Sequence, residues 1–543
     1  MPSKTTVVKK LARTACATCL LFLTLAEVKN VAAQQNQLAA NADWMLVKPD
    51  QPHRLVVKFR DDTHARAEHG KLQATSKIAK QLGEELLLKH RVRFEQLIQL
   101  DDKKLEDLCA RALICSGRAQ SDLATMMVVH APGDQLQKVA SLLDASESVQ
   151  WVEFETLSPA PPAKMQDCQD IAPATPNYVA MQDYRQANPG VNLEAFLALG
   201  NGRGAGVNIA DCEYWFNPDH EDLCGVIAES GQTPSGFIIT NGWHEHGAAA
   251  LGQIIGRDNG FGMLGLAPDA QAYFFPEWTI QQGSRRATAI ANAVSTLNPG
   301  DVVLLEMQAN GSTGLGPAEL EAPVWNVVRT ATDAGIIVVA AAGNGNQNLD
   351  NSSYAAYRSR GDSGAIMVGA GNASVSHNKL SFSTFGSRVN VQGWGNSVFT
   401  TGYGDFATIG GDENQSYTST FGGTSSASAM IAGVCVALQS YADAELGRRL
   451  SPEEMRLVLT ETGWPQGSGG NIGRFPDMVE AANRILEFLV LGDINRDSRV
   501  DFLDVGPFVD LLSSGTFQAE ADVNEDGVVD FLDISGFVAL LSS

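Results

Sequence analysis

Residues 421–433 read Phe-Gly-Gly-Thr-Ser-Ser-Ala-Ser-Ala-Met-Ile-Ala-Gly, and no charged residue follows until Asp443. Glycines let a backbone turn sharply, and small side chains let a helix lie close to a sheet. The stretch therefore predicts a tight turn and then a buried helix, with Ser425 at its N-terminus. Free N–H groups at that end favour a developing anion, so Ser425 is a candidate nucleophile. A capped core helix has the same pattern, and the rest of the chain decides between the two.

Strand and helix patterns alternate around this stretch, from Gly202 to Leu489. The predicted strands are residues 207–210, 272–275, 302–306, 336–341 and 365–368. The first four are continuous apolar runs, which are typical of strands buried on both faces of a parallel sheet. The predicted helices are residues 246–255, 285–297, 319–334 and 426–441, and a capping box with Pro452 opens another at Ser451. The chain is thus predicted to hold a doubly wound α/β domain with a mostly parallel sheet.

Polar residues follow several of these elements. Asp211 and Asn344 come at or after predicted strand ends, and His246 opens a predicted helix. Sites in doubly wound sheets lie at the carboxyl ends of strands. A serine hydroxyl needs an imidazole to take its proton, and the imidazole needs a carboxylate to hold it. An Asn amide and a helix N-terminal N–H can stabilise the oxyanion.

This ordered set resembles the subtilisin-like serine proteases (peptidase S8 family). The resemblance rests on Gly206 to Asp211, His246-Gly247, Gly265-Leu266-Ala267-Pro268, Ala341-Ala342-Gly343-Asn344, Ser381 to Gly386 and Gly423-Thr424-Ser425-Ser426-Ala427. It implies that Asp211 orients His246, that His246 is general base and acid, that Ser425 attacks, and that Asn344 holds the oxyanion. It implies no cofactor for catalysis.

The chain also departs from the family pattern. Cys212-Glu213 follows Asp211 where the family has Ser-Gly or Thr-Gly, and Ala248 and Ala429 replace Thr and Pro. Glu306-Met307-Gln308 stands where the family has the substrate-binding Ser-Leu-Gly, so the preferred substrate residue does not transfer. The Ser-Glu-Asp protease branch shares Gly-Thr-Ser but lacks this histidine motif. His244 is interpreted as a turn residue and His220 as structural.

The N-terminal part reads as export and maturation segments. Residues 1–33 have a basic start, an apolar stretch of about a dozen residues and small residues at Val31-Ala32-Ala33, which is typical of a signal peptide. No other segment is interpreted as long and apolar enough to span a membrane. Residues 34–53 are loose and polar. Residues 54–156 predict a small α+β domain with strands near 55–59, 126–130 and 149–154 and helices over 71–100 and 134–143. By its position this domain resembles an inhibitor-like propeptide, and an independent binding domain is the alternative.

Six cysteines remain after the signal, an even number that permits disulfides in an exported chain. The local pairings to test are Cys109 with Cys115 and Cys212 with Cys224. Cys435 is predicted to be a small core residue.

The C-terminus carries an internal repeat. Oxygen-bearing residues recur at positions 1, 3, 5, 9 and 12 of two loops, the pattern of a calcium loop with a backbone carbonyl at position 7. The predicted ligands are Asp493, Asn495, Asp497, Arg499 (carbonyl), Asp501 and Asp504, and then Asp522, Asn524, Asp526, Val528 (carbonyl), Asp530 and Asp533. Gly527 suits the sixth position and Ser498 does not, which predicts a weaker first loop. The paired loops resemble type I dockerin modules, which implies bound Ca²⁺ and a cohesin-like or cell-surface docking partner.

Together these features predict residues 1–33 as signal, 34–53 as a loose segment, 54–156 as propeptide, 157–200 as linker and arm, 201–489 as catalytic domain and 490–543 as the dockerin-like module. The predicted function is a secreted or cell-surface serine endopeptidase that acts on polypeptides. A net charge of −23 disfavours nucleic acid as a partner. The alternatives are an inactive surface-binding protein with the same fold and a polysaccharide-degrading enzyme, for which no paired carboxylates were found at strand ends.

Overall fold

The computed structural model describes residues 53–132, 135–156, 169–495, 499–524 and 527–542. The predicted signal, most of the loose segment and residues 157–168 of the linker lie outside this range. Contacts divide the chain into two compact units. One contains residues 53–96, 125–155 and 355–361, and the other contains 97–124, 156–354 and the residues from 362 onward.

The smaller unit is built on a four-stranded sheet, in the order Arg93–Gln96, Met126–His130, His53–Phe59 and Val149–Thr156. Helices Lys77–His90 and Leu136–Asp144 accompany it, and Leu55, Val57 and Phe59 lie in its core. The prediction of one helical stretch over 71–100 is wrong. Ser76 caps the N-terminus of helix Lys77–His90, and Arg91 ends this helix in a left-handed conformation. Residues Arg93–Gln96, whose burial alternates, then form a strand. A hairpin of Arg66–Glu68 and Lys71–Gln73 precedes the helix.

The larger unit contains the predicted parallel sheet. Its seven strands are parallel throughout, which confirms the fold class. Their order is Val391–Trp394, Ile366–Gly371, Ile337–Ala341, Val302–Leu305, Asn208–Cys212, Gln271–Phe274 and Ile227–Ala228. The two edge strands were not predicted from the sequence. The smaller sheets pair Trp278–Thr279 with Gly283–Ser284, Gln308–Asn310 with Leu315–Pro317, and Val398–Thr401 and Ala407–Thr408 with Ser416–Phe421.

The central helix Gly423–Glu445 packs in the core with alternate residues of the middle strand, Val302 and Leu304. In the described part of the chain, this helix alone is long and apolar enough to cross a membrane by length and composition, and its apolar window is completely buried. The expectation that no such segment exists beyond the signal is therefore wrong, because a large α/β core needs an equally apolar helix.

Helices Trp243–Ile255, Arg286–Thr296, Ala322–Asp333 and Pro452–Glu461 match the predictions with shifted ends. The larger unit also contains helix Met478–Leu486, and it contains three helices that were not predicted, Asp102–Ser116, Leu193–Leu197 and Gly236–Thr240. The predicted helix from 319 starts later, because a 3-10 turn occupies Ala318–Leu320. The capping box of Ser451 and Glu454 is present. Within this unit, Arg111 of helix Asp102–Ser116 donates hydrogen bonds to the carbonyls of Val294 and Leu297 at the end of helix Arg286–Thr296.

Both predicted local disulfides are wrong. Cys109, Cys115 and Cys212 form no disulfide, and Cys224 is disulfide-bonded to none of them. Cys212 points from a central strand into the buried interior, which keeps it from the loop that carries Cys224. Cys435 is a free, buried core residue as predicted.

The two repeats at the C-terminus each carry a helix, Val505–Ser514 and Ile534–Leu540. The helices pack through Phe508 and Phe537, whose ring centroids are 4.3 Å apart, and Ile494, Ala521 and Val529 complete a small core. The C-terminal module therefore has its own small hydrophobic core, which lies between the two repeats.

Candidate active site

Ser425 lies in the first turn of helix Gly423–Glu445 and is 2% exposed. Gly423 begins this helix with a φ of +85°, a conformation that glycine adopts without strain. A Cβ at Gly423 would also stand 3.1 Å from the side-chain amide nitrogen of Asn344. The turn therefore needs glycine to bring the serine and the asparagine together.

Asn344 is fixed against the residue that precedes the serine. Its Oδ1 accepts hydrogen bonds from the Thr424 N–H at 2.8 Å and from the Thr424 hydroxyl at 3.1 Å. This leaves the Asn344 Nδ2 group and the backbone N–H of Ser425 without an acceptor among the described residues. Two donors at a helix N-terminus suit an oxyanion.

His246 lies in the first turns of helix Trp243–Ile255, with its side chain 29% exposed. The next residue is Gly247, because a Cβ at this position would lie 2.1 Å from the carbonyl oxygen of Trp215. The ring packs edge-on against Phe421, with centroids 5.5 Å apart. Its Nδ1 makes a short contact with the carboxylate of Glu213.

Glu213, and not Asp211, therefore holds the imidazole, and the prediction for Asp211 is corrected. Glu213 is also anchored, since one oxygen accepts from the Tyr214 N–H at 3.0 Å and its carbonyl accepts from the Glu277 N–H at 2.7 Å. Both carboxylate oxygens of Asp211 are buried and have no hydrogen-bond partner within the described residues. Strand Asn208–Cys212 ends between the two acids. Asp211 thus stays within the strand, whereas Glu213 lies just beyond the strand end, where its carboxylate reaches His246.

Of the three predicted substrate-binding residues, Glu306 lies inside the catalytic cluster. One of its oxygens is 3.4 Å from Nδ1 of His246, and the other accepts from the Ser428 hydroxyl at 3.4 Å. The Ser425 side chain counteracts part of the rise in the pKa of this carboxyl group. Glu306 thus faces His246 and the first turns of the helix that carries Ser425. Met307 is buried, and the Gln308 side chain accepts from the Asn344 N–H at 2.8 Å.

Burial and like charges change the protonation of the cluster. Burial, then the charges of Glu213 and Glu306, raise the pKa of Asp211 well above its usual value. Burial and the charge of Glu213 raise the pKa of Glu306 in the same way. Burial alone would lower the pKa of His246, but the charges of Glu213 and Asp211 outweigh it, and the pKa is raised. Stability from the protonated Asp211 is present below its unfolded pKa of about 3.9 and is lost as the pH rises through its raised folded pKa.

The other predicted histidines lie outside this cluster. His220 is buried and bonded to the Ser416 carbonyl at 2.8 Å, which agrees with a structural role, and burial lowers its pKa to about 4. His244 is not a turn residue as predicted. It is buried in helix Trp243–Ile255, with its Nε2 3.3 Å from a carboxylate oxygen of Glu245.

The described ligand candidates of the C-terminal repeats adopt matching arrangements. Asp504 accepts from the N–H groups of Asn495 and Asp501, both at 2.9 Å. Asp533 accepts from Asn524 at 3.1 Å and from Asp530 at 2.9 Å. Asp504 and Asp533 are fully buried, and Asp493 and Asp522 nearly so. Asp497 and Asp526 lie outside the described residues.

Comparisons with known proteins place the chain in two known families. The model of the subtilase family matches residues 202–483, and that of the dockerin type I domain matches residues 491–537. Subtilisin DY of Bacillus licheniformis is 29% identical over 283 residues, which cover 52% of this chain and 92% of that protein. Thermitase of Thermoactinomyces vulgaris is 28% identical over 291 residues, which cover 52% of this chain and 93% of that protein.

Proposed function

Because this chain belongs to the subtilase family and is a serine-type endopeptidase with a dockerin domain, we propose that it cleaves peptide bonds through Ser425, His246 and Glu213. The observation that carries the proposal is the contact of Glu213 with His246 beside a serine at a helix N-terminus. In this arrangement Glu213 takes the orienting role that the sequence assigned to Asp211.

The reaction follows from these positions. His246 accepts the Ser425 proton through Nε2 as the hydroxyl oxygen attacks the scissile carbonyl carbon. Glu213 holds the Nδ1 proton, which fixes the tautomer and stabilises the imidazolium. The Ser425 N–H and the Asn344 amide donate to the oxyanion. The imidazolium then protonates the leaving amine, and water hydrolyses the acyl-enzyme with His246 as base again.

A serine-directed phosphonate probe tests this assignment. We expect one equivalent of label on the folded protein at Ser425, because the site supplies both the base and the oxyanion donors that such a probe needs. Mass spectrometry of the labelled peptide locates the adduct, and heat-denatured protein serves as the control. Folded protein that takes up no label would instead indicate an inactive surface-binding member of the family.

Export and maturation are part of the proposal. The basic and apolar start of the chain supports secretion. The small α+β unit between the start and the family match supports an inhibitor-like propeptide. The contact of Arg111 with the end of helix Arg286–Thr296 supports an association of the segment 97–124 with the catalytic domain in the precursor.

We also propose that the tail binds calcium and docks the enzyme to a cohesin-like or cell-surface partner. The residues fit the ion, because each repeat buries carboxylates that repel one another without a cation. Asp493, Asn495, Asp501 and Asp504 would hold one ion with the Arg499 carbonyl, and Asp522, Asn524, Asp530 and Asp533 the other with the Val528 carbonyl. Phe502, Leu503, Phe531 and Leu532 are exposed at the same positions of the two repeats. These pairs are the candidate docking contacts.

Calcium titration calorimetry tests the metal assignment. We expect two ions per chain, with the first loop weaker, because Gly527 has the φ of +86° that Ser498 would adopt only with strain. Asp533→Ala should leave only the weak site and Asp504→Ala only the strong one. Asp510→Ala, which changes a carboxylate on the first repeat's helix, is the matched control. Unchanged binding in both loop variants would refute the ligand assignment.

A further inference from the structure

Glu306 lies beside His246, the side chain that becomes positively charged in the proposed reaction. The Glu306 side chain is 1% exposed. One oxygen accepts from the Ser428 hydroxyl at 3.4 Å, and the Ser425 side chain also acts on this carboxyl group. The other oxygen has no hydrogen-bond partner in the described structure, although it faces Nδ1 of His246 at 3.4 Å. An ionised oxygen buried in this way would have no donor.

The single Nδ1 proton of His246 cannot serve both carboxylates. It is engaged by Glu213, whose other oxygen accepts from the Tyr214 N–H. The facing oxygens of Glu213 and Glu306 lie within 4.8 Å of each other. A proton on the free oxygen of Glu306 would give that atom a role as donor toward Glu213. Such a proton would also remove one of two like charges from a pair of side chains that are almost completely buried.

The other charged groups around Glu306 favour the same protonation. Asp211 from the neighbouring strand, Glu277 and Tyr403 are the remaining titratable groups that act on the cluster. Glu277 is paired with Arg286 at 2.5 Å. Within the described residues, no lysine or arginine contacts Asp211, Glu213 or Glu306. Full ionisation would thus place three carboxylates against one imidazole.

We propose that Glu306 is a positioning residue, which holds a proton shared with Glu213, so that a carboxyl–carboxylate pair with one net charge orients His246. The proposal rests on the proposed function of Ser425 and His246. In the resting enzyme the pair leaves His246 neutral and able to accept the serine proton. When the imidazolium forms, the one remaining negative charge of the pair faces it. No proton leaves the pair during the cycle, since the serine proton moves only to His246 and then to the leaving amine.

Two substitutions at position 306 separate a protonated carboxyl from an ionised one. Glu306→Gln keeps the shape and an N–H donor but cannot ionise, whereas Glu306→Ala removes the donor. We expect kcat/KM at neutral pH to fall on the order of 100-fold in the Ala variant, because that variant loses one preorganised donor. In the Gln variant, which keeps a donor, kcat/KM should fall only roughly tenfold. An infrared difference spectrum of wild type minus Glu306→Gln should show the carbonyl band of a protonated carboxyl group at neutral pH.

The outcomes also distinguish this proposal from the assignment of the nucleophile. Equal losses in the Gln and Ala variants would mean that an ionised carboxylate is required, and they would overturn the proposal, as would the absence of the protonated carboxyl band or full activity in both variants. Phosphonate labelling of Ser425 in the same preparations reports separately on the proposed function. Labelled wild type with an overturned Glu306 result leaves the protease assignment intact.

Discussion

Replacing Glu213 by Gln is expected to lower kcat/KM by roughly 10⁴-fold, the scale seen when the orienting acid of a serine protease becomes an amide. The amide is isosteric, so the fold should persist. It can present its NH₂ group to Nδ1 of His246 and favour the wrong tautomer, and it cannot stabilise the imidazolium. The measurement is steady-state hydrolysis of a peptide substrate by the purified, folded variant.

Asp211→Asn is the matched control, since it makes the same chemical change two residues earlier in the chain. Within the described residues the Asp211 carboxyl group makes no hydrogen bond or ion pair with His246 or Ser425, so we expect its loss of activity to be at least 100-fold smaller than that of Glu213→Gln. The reverse ranking would restore Asp211 as the orienting acid and contradict the geometry described above. Circular dichroism of both variants reports whether either change has disturbed the fold.

Replacing Ser425 by Ala is expected to remove about 10⁶-fold of kcat, because the acyl-enzyme can no longer form. His246→Ala should cost a similar factor, and the double variant should lose little more than either single variant. Residues of one catalytic unit are strongly non-additive, since the base has no function without its nucleophile. The substrate KM should change much less, because the binding surface is retained.

Independent losses that multiply in the double variant would show that Ser425 and His246 do not act together. Ser440→Ala is the control for the serine change, because Ser440 lies on the same helix but bonds to the Gly204 N–H, far along the helix from the active site. Substantial peptidase activity in folded Ser425→Ala protein would assign the nucleophile elsewhere.

The sheet was predictable because its strands are continuous apolar runs, which only a parallel sheet buried on both faces requires. Ser425, His246 and Asn344 were predicted as site residues because a glycine stands in each of their motifs, and their catalytic roles are the proposal made above. Glu213 was missed although its signal was present: two acids stand two residues apart at the end of a strand, in Asp211-Cys212-Glu213. The pattern alone does not tell how far the strand extends. Which of the two acids reaches His246 depends on where strand Asn208–Cys212 ends relative to helix Trp243–Ile255.

Glu306 was predicted as a pocket residue because Glu306-Met307-Gln308 stands where the family has its substrate-binding Ser-Leu-Gly. Which way its side chain turns depends on Ser428 and His246, which are distant in sequence. The disulfide predictions are wrong for a related reason, because nearness in sequence does not reveal that Cys212 is buried in a central strand. The edge strand Ile227–Ala228 has two residues, too few for any periodic pattern.

Under the proposed function, the bond from the Asn344 N–H to the Gln308 side chain would link substrate recognition to turnover. In a protease whose specificity strand and oxyanion loop are separate, an exchange in the pocket alters which peptides are accepted and leaves the chemistry alone. In this enzyme an exchange at Gln308 also loosens the loop that carries an oxyanion donor. Laboratory evolution toward new cleavage preferences should therefore accept changes at Gln308 only together with compensating mutations near Asn344.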